Sequence, residues 1–373
     1  MIQQFVSQSD YKNEIIAILK QNHAKNILLV CGHSMEQLKL NQLFDELPAI
    51  LDVTITRFMN FEPNPRYEST VAGVKVFQEH ACDFIIAVGG GSALDVAKCI
   101  KLFHTMDESK DYIGQKIIPN ATKLLAIPTT AGTGSESTKF SIIYVNGEKQ
   151  SINEESSLPD YVLLLPEVLE TLPNYQRKAT MMDALCHAIE SYWSVKSQEE
   201  SKHYAKAAML KIMQYKDAYL ENEGEGNLQM LEAANLAGQA INLTQTTAAH
   251  AMCYKITTYY GIAHGHAAML CLTKIWCDML QHMDICNDPR GSAYVKRTFQ
   301  EIAHGLGYAT VEEALDKLEQ LMEELGLQAP KSASRKDRDM LVKSVNVQKL
   351  NNNPIGLNEQ DLVRIYDQIF NFI

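Results

Sequence analysis

One carboxylate and three imidazoles in the second half of the chain have types and spacing that could bind a divalent metal ion. Asp183 and His187 are four residues apart in the stretch MDALCHAIES, and this spacing places both side chains on one face of a helix. His250 and His264 follow in apolar surroundings, where an unpaired polar group is costly. One oxygen and three nitrogen donors suit a borderline ion such as Zn(II) or Fe(II).

Each of these residues taken singly has a simpler interpretation. An isolated Asp or His in a helix is more often hydrogen-bonded or solvated than bound to metal, so the prediction depends on the joint pattern. His266 lies two residues beyond His264 and cannot share a helical face with it. We therefore expect His266 at most to support the metal ligands or to face a cofactor.

A glycine triplet in the first half of the chain could bind a phosphate group. In the stretch FIIAVGGGSALDVAK, Gly89, Gly90 and Gly91 follow an apolar strand. Ser92 then opens a helix with Asp95 three residues later, the pattern of a capping box. Glycines let the backbone approach a ligand, and the free amides of a helix start bind anions. A tight strand-to-helix turn without a ligand is an equally good interpretation of this motif alone.

A second turn favours the ligand-binding interpretation. The stretch IPTTAGTGSEST follows another apolar strand and offers the hydroxyls of Thr129 and Thr130. In a parallel sheet both turns open at the carboxyl ends of strands, where ligands bind. Two such turns favour a dinucleotide, although the glycine spacing is not the GxGxxG of the standard fingerprint.

The elements that carry these turns alternate between strands and helices up to about residue 170. Several of the strand segments are apolar throughout, as in a parallel sheet that is covered on both faces. The predicted strands are 26–32, 52–58, 83–91, 123–130 and 161–166.

From about residue 175 onward, apolar residues recur at spacings of three and four, which predicts helices only. The chain also exceeds a comfortable single hydrophobic core at 373 residues. We therefore expect an α/β dinucleotide-binding domain over 1–175 and an all-α, metal-binding domain over 176–373.

Composition limits the class of protein. Hydrophobic residues make up 46% of the chain and charged residues 21%, without an apolar run near the ~18 residues that a membrane span requires. The formal net charge of −11 argues against a nucleic-acid surface. Eight cysteines without a CxxC pair and no export signal at the start predict buried thiols in a reducing cytoplasm.

Taken together, the motifs AVGGGSALDVAK, IPTTAGTGSE and MDALCHAIES and the interval from His250 to His264 resemble the iron-containing (group III) alcohol dehydrogenase family. The resemblance covers almost the whole chain, including FEPNP and the late NNNPIGL. It implies a nucleotide-binding α/β domain with a parallel sheet and a helical domain, the dehydroquinate synthase-like fold, with a divalent metal and NAD(P). By position, the metal ligands would be Asp183, His187, His250 and His264. The cofactor would be faced by Gly89, Gly90, Gly91, Ser92, Asp95, Thr129 and Thr130.

Three positions depart from the family pattern. Tyr254 stands where members often have a His four residues after the third ligand, and this spacing keeps it on the face of His250. Proton delivery could thus come from metal-bound water, Tyr254 or cofactor hydroxyls. Leu165 replaces a common Asp, without a physical explanation.

The third departure concerns the cofactor. Gly32 stands where members often have an Asp that binds the adenosine ribose. A carboxylate there would repel a 2′-phosphate. Its absence, with His33 and Ser34 nearby, predicts that NADPH is used at least as well as NADH. Alternatively, Gly32 only shapes the turn and neither cofactor is preferred.

The resemblance implies a metal-dependent, NAD(P)H-linked aldehyde reductase or alcohol dehydrogenase, closest to the phosphonoacetaldehyde reductase branch. Reduction of phosphonoacetaldehyde would give 2-hydroxyethylphosphonate. A doubly charged phosphonate needs cationic partners, and Lys255 is the candidate, although a lysine whose ammonium reaches the surface is an equal alternative. Other possibilities are a general short-chain alcohol dehydrogenase, a dehydroquinate synthase-like enzyme and a non-catalytic nucleotide- and metal-binding protein. A homodimer is a further expectation.

Overall fold

The computed structural model describes residues 3–331, 334–346 and 350–370. The chain divides into two compact units, Met1–Leu172 and Pro173–Ile373. Each unit has its own architecture.

The first unit is built on a six-stranded, all-parallel sheet. The strands of the unit are β1 (Gln4–Phe5), β2 (Asn26–Cys31), β3 (Thr54–Phe58), β4 (Phe84–Gly89), β5 (Lys123–Pro128), β6 (Phe140–Val145), β7 (Glu148–Asn153) and β8 (Tyr161–Val162). The sheet order is β1-β8-β5-β4-β2-β3, and β6 and β7 form a separate antiparallel hairpin. Each of the five predicted segments contains a strand, although in the segment 161–166 the strand covers only Tyr161 and Val162. The hairpin was not predicted because β7, with the sequence EKQSIN, has no apolar run.

Helices cover both faces of this sheet, as the apolar strands predicted. They are α1 (Tyr11–Gln21), α2 (Leu40–Leu51), α3 (Tyr67–Glu79) and α4 (Gly91–Phe103). Successive side chains of β2 point to opposite faces. Leu29 therefore packs in one hydrophobic cluster with residues of α1 and α2, while Leu28 packs in a second cluster with residues of α3 and α4. Full burial of each such leucine stabilises the fold by about 1.5–3 kcal/mol.

Among the described residues of the second unit, helices joined by turns and loops are the regular elements, apart from an isolated bridge between Cys286 and Ile355. This confirms the all-α prediction. Its helices are α5 (Asn174–Trp193), α6 (Glu199–Leu220), α7 (Gly224–Thr244), α8 (Ala248–Tyr260), α9 (His264–Gln281), α10 (Ser292–Gly305), α11 (Val311–Glu324), α12 (Arg335–Lys343) and α13 (Glu359–Ile369).

Two composition-based expectations can be compared with the structure. Six of the eight cysteines are buried, and none of the eight is in a disulfide with another described residue. Among the described helices, none combines the length and the hydrophobicity that crossing a membrane would require.

Candidate metal centre and dinucleotide-binding turns

Three of the four predicted metal ligands form a buried cluster in the second unit. Asp183 and His187 lie one turn apart on α5, and His250 lies in the first turn of α8. One potential ligand atom from each of the three residues lies within 4.8 Å of those of the other two. The imidazoles of His187 and His250 stack with ring centroids 4.4 Å apart. The helical spacing of the two α5 residues therefore produces the common face that the sequence predicted.

Two buried polar atoms of this cluster have no hydrogen-bond partner among the described residues. Asp183 Oδ1 and His250 Nε2 are buried and form no hydrogen bond within the described part of the chain. Their separation is 3.5 Å. A buried polar atom without a partner costs about 1–3 kcal/mol. Two ligands of a tetrahedral ion with bonds of about 2.1 Å are about 3.4 Å apart, so the spacing and the donor types fit a divalent metal.

His264 lies beside this cluster as the first residue of α9. Its ring centroid is 5.3 Å from that of His250, and the ring of Tyr254 stacks on it with centroids 5.4 Å apart and planes nearly parallel. Cys253 Sγ lies 3.7 Å from His264 Nδ1. His264 is outside the tight group of three donors but adjacent to it.

A glycine allows α9 to approach α5 at this point. A Cβ atom on Gly265 would lie 2.1 Å from the carbonyl oxygen of Ala179 and 2.7 Å from the amide nitrogen of Asp183. Both contacts are with backbone, which cannot rotate away. The close packing that brings His264 next to Asp183 therefore requires glycine at position 265.

Glu190 is a site residue that the sequence reasoning missed. It lies on α5, three residues after His187, and its side chain is fully buried. Its Oε2 atom is hydrogen-bonded to Nδ1 of His250. The sequence signal was an acidic residue within the buried stretch ALCHAIESYW, but the stretch does not show what its partner would be.

The buried charges of the cluster shift each other's protonation. Burial would lower the pKa of His250, but the carboxylates of Glu190 and Asp183 raise it to about 9. Burial would raise the pKa of Asp183, but the imidazoles, His187 first, hold it well below its usual range. The pKa of Glu190 is likewise lowered, against burial, chiefly by His250. The site thus favours a positive charge between its carboxylates, which a proton or a metal ion can supply.

Tyr254 and Lys255, the two predicted site residues that follow His250 on α8, lie on different faces of that helix. At about 100° per residue, Tyr254 lies about 40° and Lys255 about 140° around the axis from His250. The structure therefore brings Tyr254 to the ligands through its stacking on His264. It does not bring Lys255 to the cluster within this unit.

His266 does not point at the metal ligands. Its Nδ1 is hydrogen-bonded to the hydroxyl of Tyr175 and its Nε2 to the carbonyl oxygen of Gln328, both at 3.1 Å. Burial lowers its pKa. With both ring nitrogens engaged, His266 ties the start of α9 to neighbouring segments.

The late NNNPIGL motif supports the turn that precedes α8. Asn352 donates from its amide nitrogen to the carbonyl oxygens of Thr244 and Thr246, at 2.9 and 3.0 Å, and its amide oxygen accepts from Ser194 Oγ. The turn is thereby fixed on both sides immediately before the helix that carries His250.

In the first unit the two predicted ligand-binding turns lie against each other. They follow the adjacent parallel strands β4 and β5, and the amide of Thr129 donates to the carbonyl oxygen of Gly89 at 3.0 Å. A Cβ on Gly90 would lie 3.2 Å from Thr130, and one on Gly91 would lie 2.9 Å from Thr133. Because Gly90 and Gly91 have no side chains, the two turns can approach each other at the carboxyl edge of the sheet.

The predicted capping box at the start of α4 is wrong. The helix begins at Gly91 with Gly90 as its N-cap, and no side chain caps it. Asp95 accepts hydrogen bonds from Ser135 Oγ at 2.6 Å and from the amide of Ile142 at 3.1 Å, and its contact with a cofactor stays a prediction. Burial raises the pKa of Asp95. Because both of its oxygens are used behind the second turn, Asp95 supports that turn.

Gly32 directly follows β2 and has an ordinary extended conformation, with φ −85° and ψ 170°. An added Cβ would have Ser34 Oγ, at 3.9 Å, as its nearest contact. His33 and Ser34 are exposed. A pocket of about 370 Å³ adjoins this strand end and is lined by His33 together with Met59, Asn60, Phe61, Glu62, Arg66 and Ser69. Position 32 can therefore accept a side chain without strain.

Both units match known protein families. Residues 3–166 match the model "Iron-containing alcohol dehydrogenase", and residues 178–370 match "Fe-containing alcohol dehydrogenase family, C-terminal".

Individual relatives cover most of the chain. Phosphonoacetaldehyde reductase of Streptomyces viridochromogenes is 28% identical, over 80% of this chain and 79% of the relative. Alcohol dehydrogenase 4 of Schizosaccharomyces pombe is 31% identical, over 87% of this chain and 77% of the relative. The crystal structure of sulfoacetaldehyde reductase from Bifidobacterium kashiwanohense in complex with NAD⁺ has a TM-score of 0.87 and 26% identity, covering 98% of this chain and 96% of that one.

Proposed function

Because the chain belongs to the iron-containing alcohol dehydrogenase family, we propose that it is a metal- and NAD(P)H-dependent reductase of a small anionic aldehyde. Family membership makes it an oxidoreductase. The observation that carries the proposal is the buried cluster of Asp183, His187 and His250, in which two donor atoms 3.5 Å apart have no partner in the described chain. Phosphonoacetaldehyde is the first candidate substrate.

The net reaction converts an aldehyde, NAD(P)H and a proton into an alcohol and NAD(P)⁺. Hydride adds to the carbonyl carbon and the proton to the carbonyl oxygen. A divalent ion, Fe(II) or Zn(II), supplies a Lewis acid for that oxygen when it is bound. Asp183, His187 and His250 would hold the ion, with His264 as the fourth ligand. Tyr254, stacked on His264, is the chain's own candidate for a proton donor.

The paired turns of the first unit are proposed to bind the dinucleotide. Backbone amides of Gly89, Gly90 and Gly91 and the start of α4 suit a pyrophosphate, and the hydroxyls of Ser92, Thr129 and Thr130 suit phosphate or ribose oxygens. The absence of a carboxylate at Gly32 favours use of NADPH at least equal to that of NADH. Gly32 and Ser34 would then lie at the 2′-position of the adenosine ribose.

The anionic substrate class is suggested by two of the relatives. One is called a phosphonoacetaldehyde reductase and another a sulfoacetaldehyde reductase, and both names denote a two-carbon aldehyde that carries a strongly acidic group. Lys255 is proposed as a cationic partner of that group. Lys255 lies about 140° around the α8 axis from His250, so it would bind the acidic group at the far end of the substrate from the carbonyl.

The experiment compares catalytic efficiency, kcat/KM, of the metal-loaded protein for phosphonoacetaldehyde and for propanal, with NADPH and with NADH. We expect a clear preference for phosphonoacetaldehyde, and we expect Lys255→Gln to raise its KM on the order of tenfold without changing that of propanal. Equal efficiencies would instead favour a general short-chain alcohol dehydrogenase, which the relative named alcohol dehydrogenase 4 supports. Absence of cofactor oxidation with every aldehyde would contradict the reductase itself.

A further inference from the structure

Glu190 joins the metal cluster to the start of the helix that carries His250. Its Oε1 atom accepts hydrogen bonds from the amides of Thr247, Ala249 and His250, at 3.2, 2.9 and 3.3 Å, and from Thr247 Oγ1 at 2.7 Å. These amides belong to the N-cap and first turn of α8. A negative charge is favourable at this end of a helix, where the amides have no intrahelical partner.

The second oxygen of the same carboxylate contacts the imidazole ring of His250. Oε2 of Glu190 is hydrogen-bonded to Nδ1 of His250. An ionised carboxylate can only accept hydrogen bonds, so Nδ1 must carry a hydrogen. In a neutral imidazole this leaves the lone pair on Nε2, the atom that lies 3.5 Å from Asp183 Oδ1.

We infer that Glu190 is a positioning residue that holds His250 in the Nδ1–H tautomer, so that Nε2 is presented to the metal ion. The assignment rests on the metal site of the proposed function. Carboxylates that accept from a ligating histidine orient its ring and increase its basicity, and their loss typically weakens metal binding 10–100-fold. Here the same side chain also caps α8, so the orientation of the ring and the position of its backbone depend on one buried group.

The isosteric variant Glu190→Gln tests the tautomer directly. A glutamine has one acceptor oxygen and one donor nitrogen. The four donors now on Oε1 require the oxygen, which leaves the amide NH₂ facing Nδ1 of His250. That arrangement favours the Nε2–H tautomer, in which Nε2 cannot bind a metal. We expect the zinc dissociation constant, measured by chelator competition, to rise 10–100-fold.

Thr247→Val is the matched control. It removes the 2.7 Å bond to Oε1 and the 2.9 Å bond that Thr247 Oγ1 accepts from Trp193 Nε1, and it leaves the bond between Oε2 and His250 in place. A residue that only caps the helix would produce similar effects in both variants on thermal stability and zinc affinity. We expect Thr247→Val to lower the melting temperature while its zinc affinity stays within about threefold of the wild type.

Nuclear magnetic resonance of ¹⁵N-histidine in the zinc-loaded wild type provides a test that does not depend on how a variant folds. His250 should show a protonated Nδ1 and a metal-bound Nε2. Zinc on Nδ1, or unchanged zinc affinity in a folded Glu190→Gln protein, would overturn the assignment of Glu190 alone. Failure of the wild type to bind zinc or Fe(II) would overturn the proposed metal site and this inference together.

Discussion

The ligand residues differ in how strongly the surrounding protein depends on them. Asp183 and His250 are buried and charge-coupled to each other, and His250 is also coupled to Glu190, so removing either leaves an uncompensated buried group. His264 is only partly buried and begins its helix. It can therefore be removed with less effect on the fold, and it gives the cleaner test of a ligand role.

His264→Ala should lower bound zinc and turnover by at least tenfold while the far-ultraviolet circular dichroism is unchanged, because one ligand is lost and the α9 backbone remains. Metal content per chain, measured by mass spectrometry after gel filtration, checks this. His203→Ala is the control, since His203 is exposed on α6 and its loss should leave the metal in place. Full metal content in His264→Ala would remove it from the ligand set.

Gly32→Asp tests the basis of cofactor preference. Backbone geometry at this position suits any residue, and the nearest atom to an added Cβ is 3.9 Å away, so the effect should be electrostatic. Repulsion of the 2′-phosphate should weaken NADPH use on the order of tenfold, or ~1.4 kcal/mol, with NADH use kept or improved. The measurement is the ratio of kcat/KM for the two cofactors. An unchanged ratio would show that position 32 does not face the ribose.

At the scale of elements, the metal centre depends on how closely helices approach. The pair α5 and α9 can place His264 beside Asp183 only because Gly265 has no side chain at the contact. Asn352 is hydrogen-bonded to the turn before α8, and Glu190 accepts hydrogen bonds from the first amides of α8. The ligands are thus positioned by contacts between helices that are remote in sequence.

Gly265→Ala should displace the start of α9 from α5, because the new methyl group would overlap the backbone at Ala179 and Asp183. Overpacking of this kind costs about 1–3 kcal/mol. We expect a lower melting temperature together with a weaker zinc affinity, measured by thermal scanning with and without zinc. Gly224→Ala is the control, since an added Cβ there meets nothing within 4 Å. Equal zinc-induced stabilisation in both variants would contradict the packing argument.

At the scale of the whole molecule, the residues proposed to bind the metal ion and those proposed to bind the dinucleotide belong to separate units. All four metal-ligand candidates lie within Pro173–Ile373, while both dinucleotide turns lie within Met1–Leu172. A ligand that binds only the folded state stabilises the structure around its site, by an amount that rises with the logarithm of its concentration over its dissociation constant. Each ligand should therefore protect a different part of the chain.

Removing the metal with a chelator should increase hydrogen exchange in peptides from α5, α8 and the start of α9, because an ion bound by the proposed ligands would link these three helices. Peptides from β4 and β5 should exchange as before. Addition of NADP⁺ should protect the turns after β4 and β5. The measurement is hydrogen exchange followed by mass spectrometry. A chelator effect confined to the sheet peptides would show that the metal is bound elsewhere.

The sequence by itself determined the features that depend on short-range spacing. Apolar runs identified the five strands, and the four-residue interval between Asp183 and His187 identified a shared helical face. Chain length and the change in periodicity near residue 175 predicted two domains, the first with a parallel sheet. His250 and His264 were candidates because of their apolar surroundings, and the family resemblance assigned them as ligands. These patterns are readable because strand and helix periodicities act over a few residues.

Only the tertiary structure decided which polar side chains meet. Glu190 and His250 are 60 residues apart, Asp95 and Ser135 are 40 apart, and His266 bonds to Gln328. No local period relates such positions. The capping box at Ser92 was wrong, because the helix begins at Gly91 and Ser92 lies inside it. Asp95 bonds to Ser135 and Ile142, because a buried carboxylate must satisfy its oxygens with donors that the folded chain brings near it.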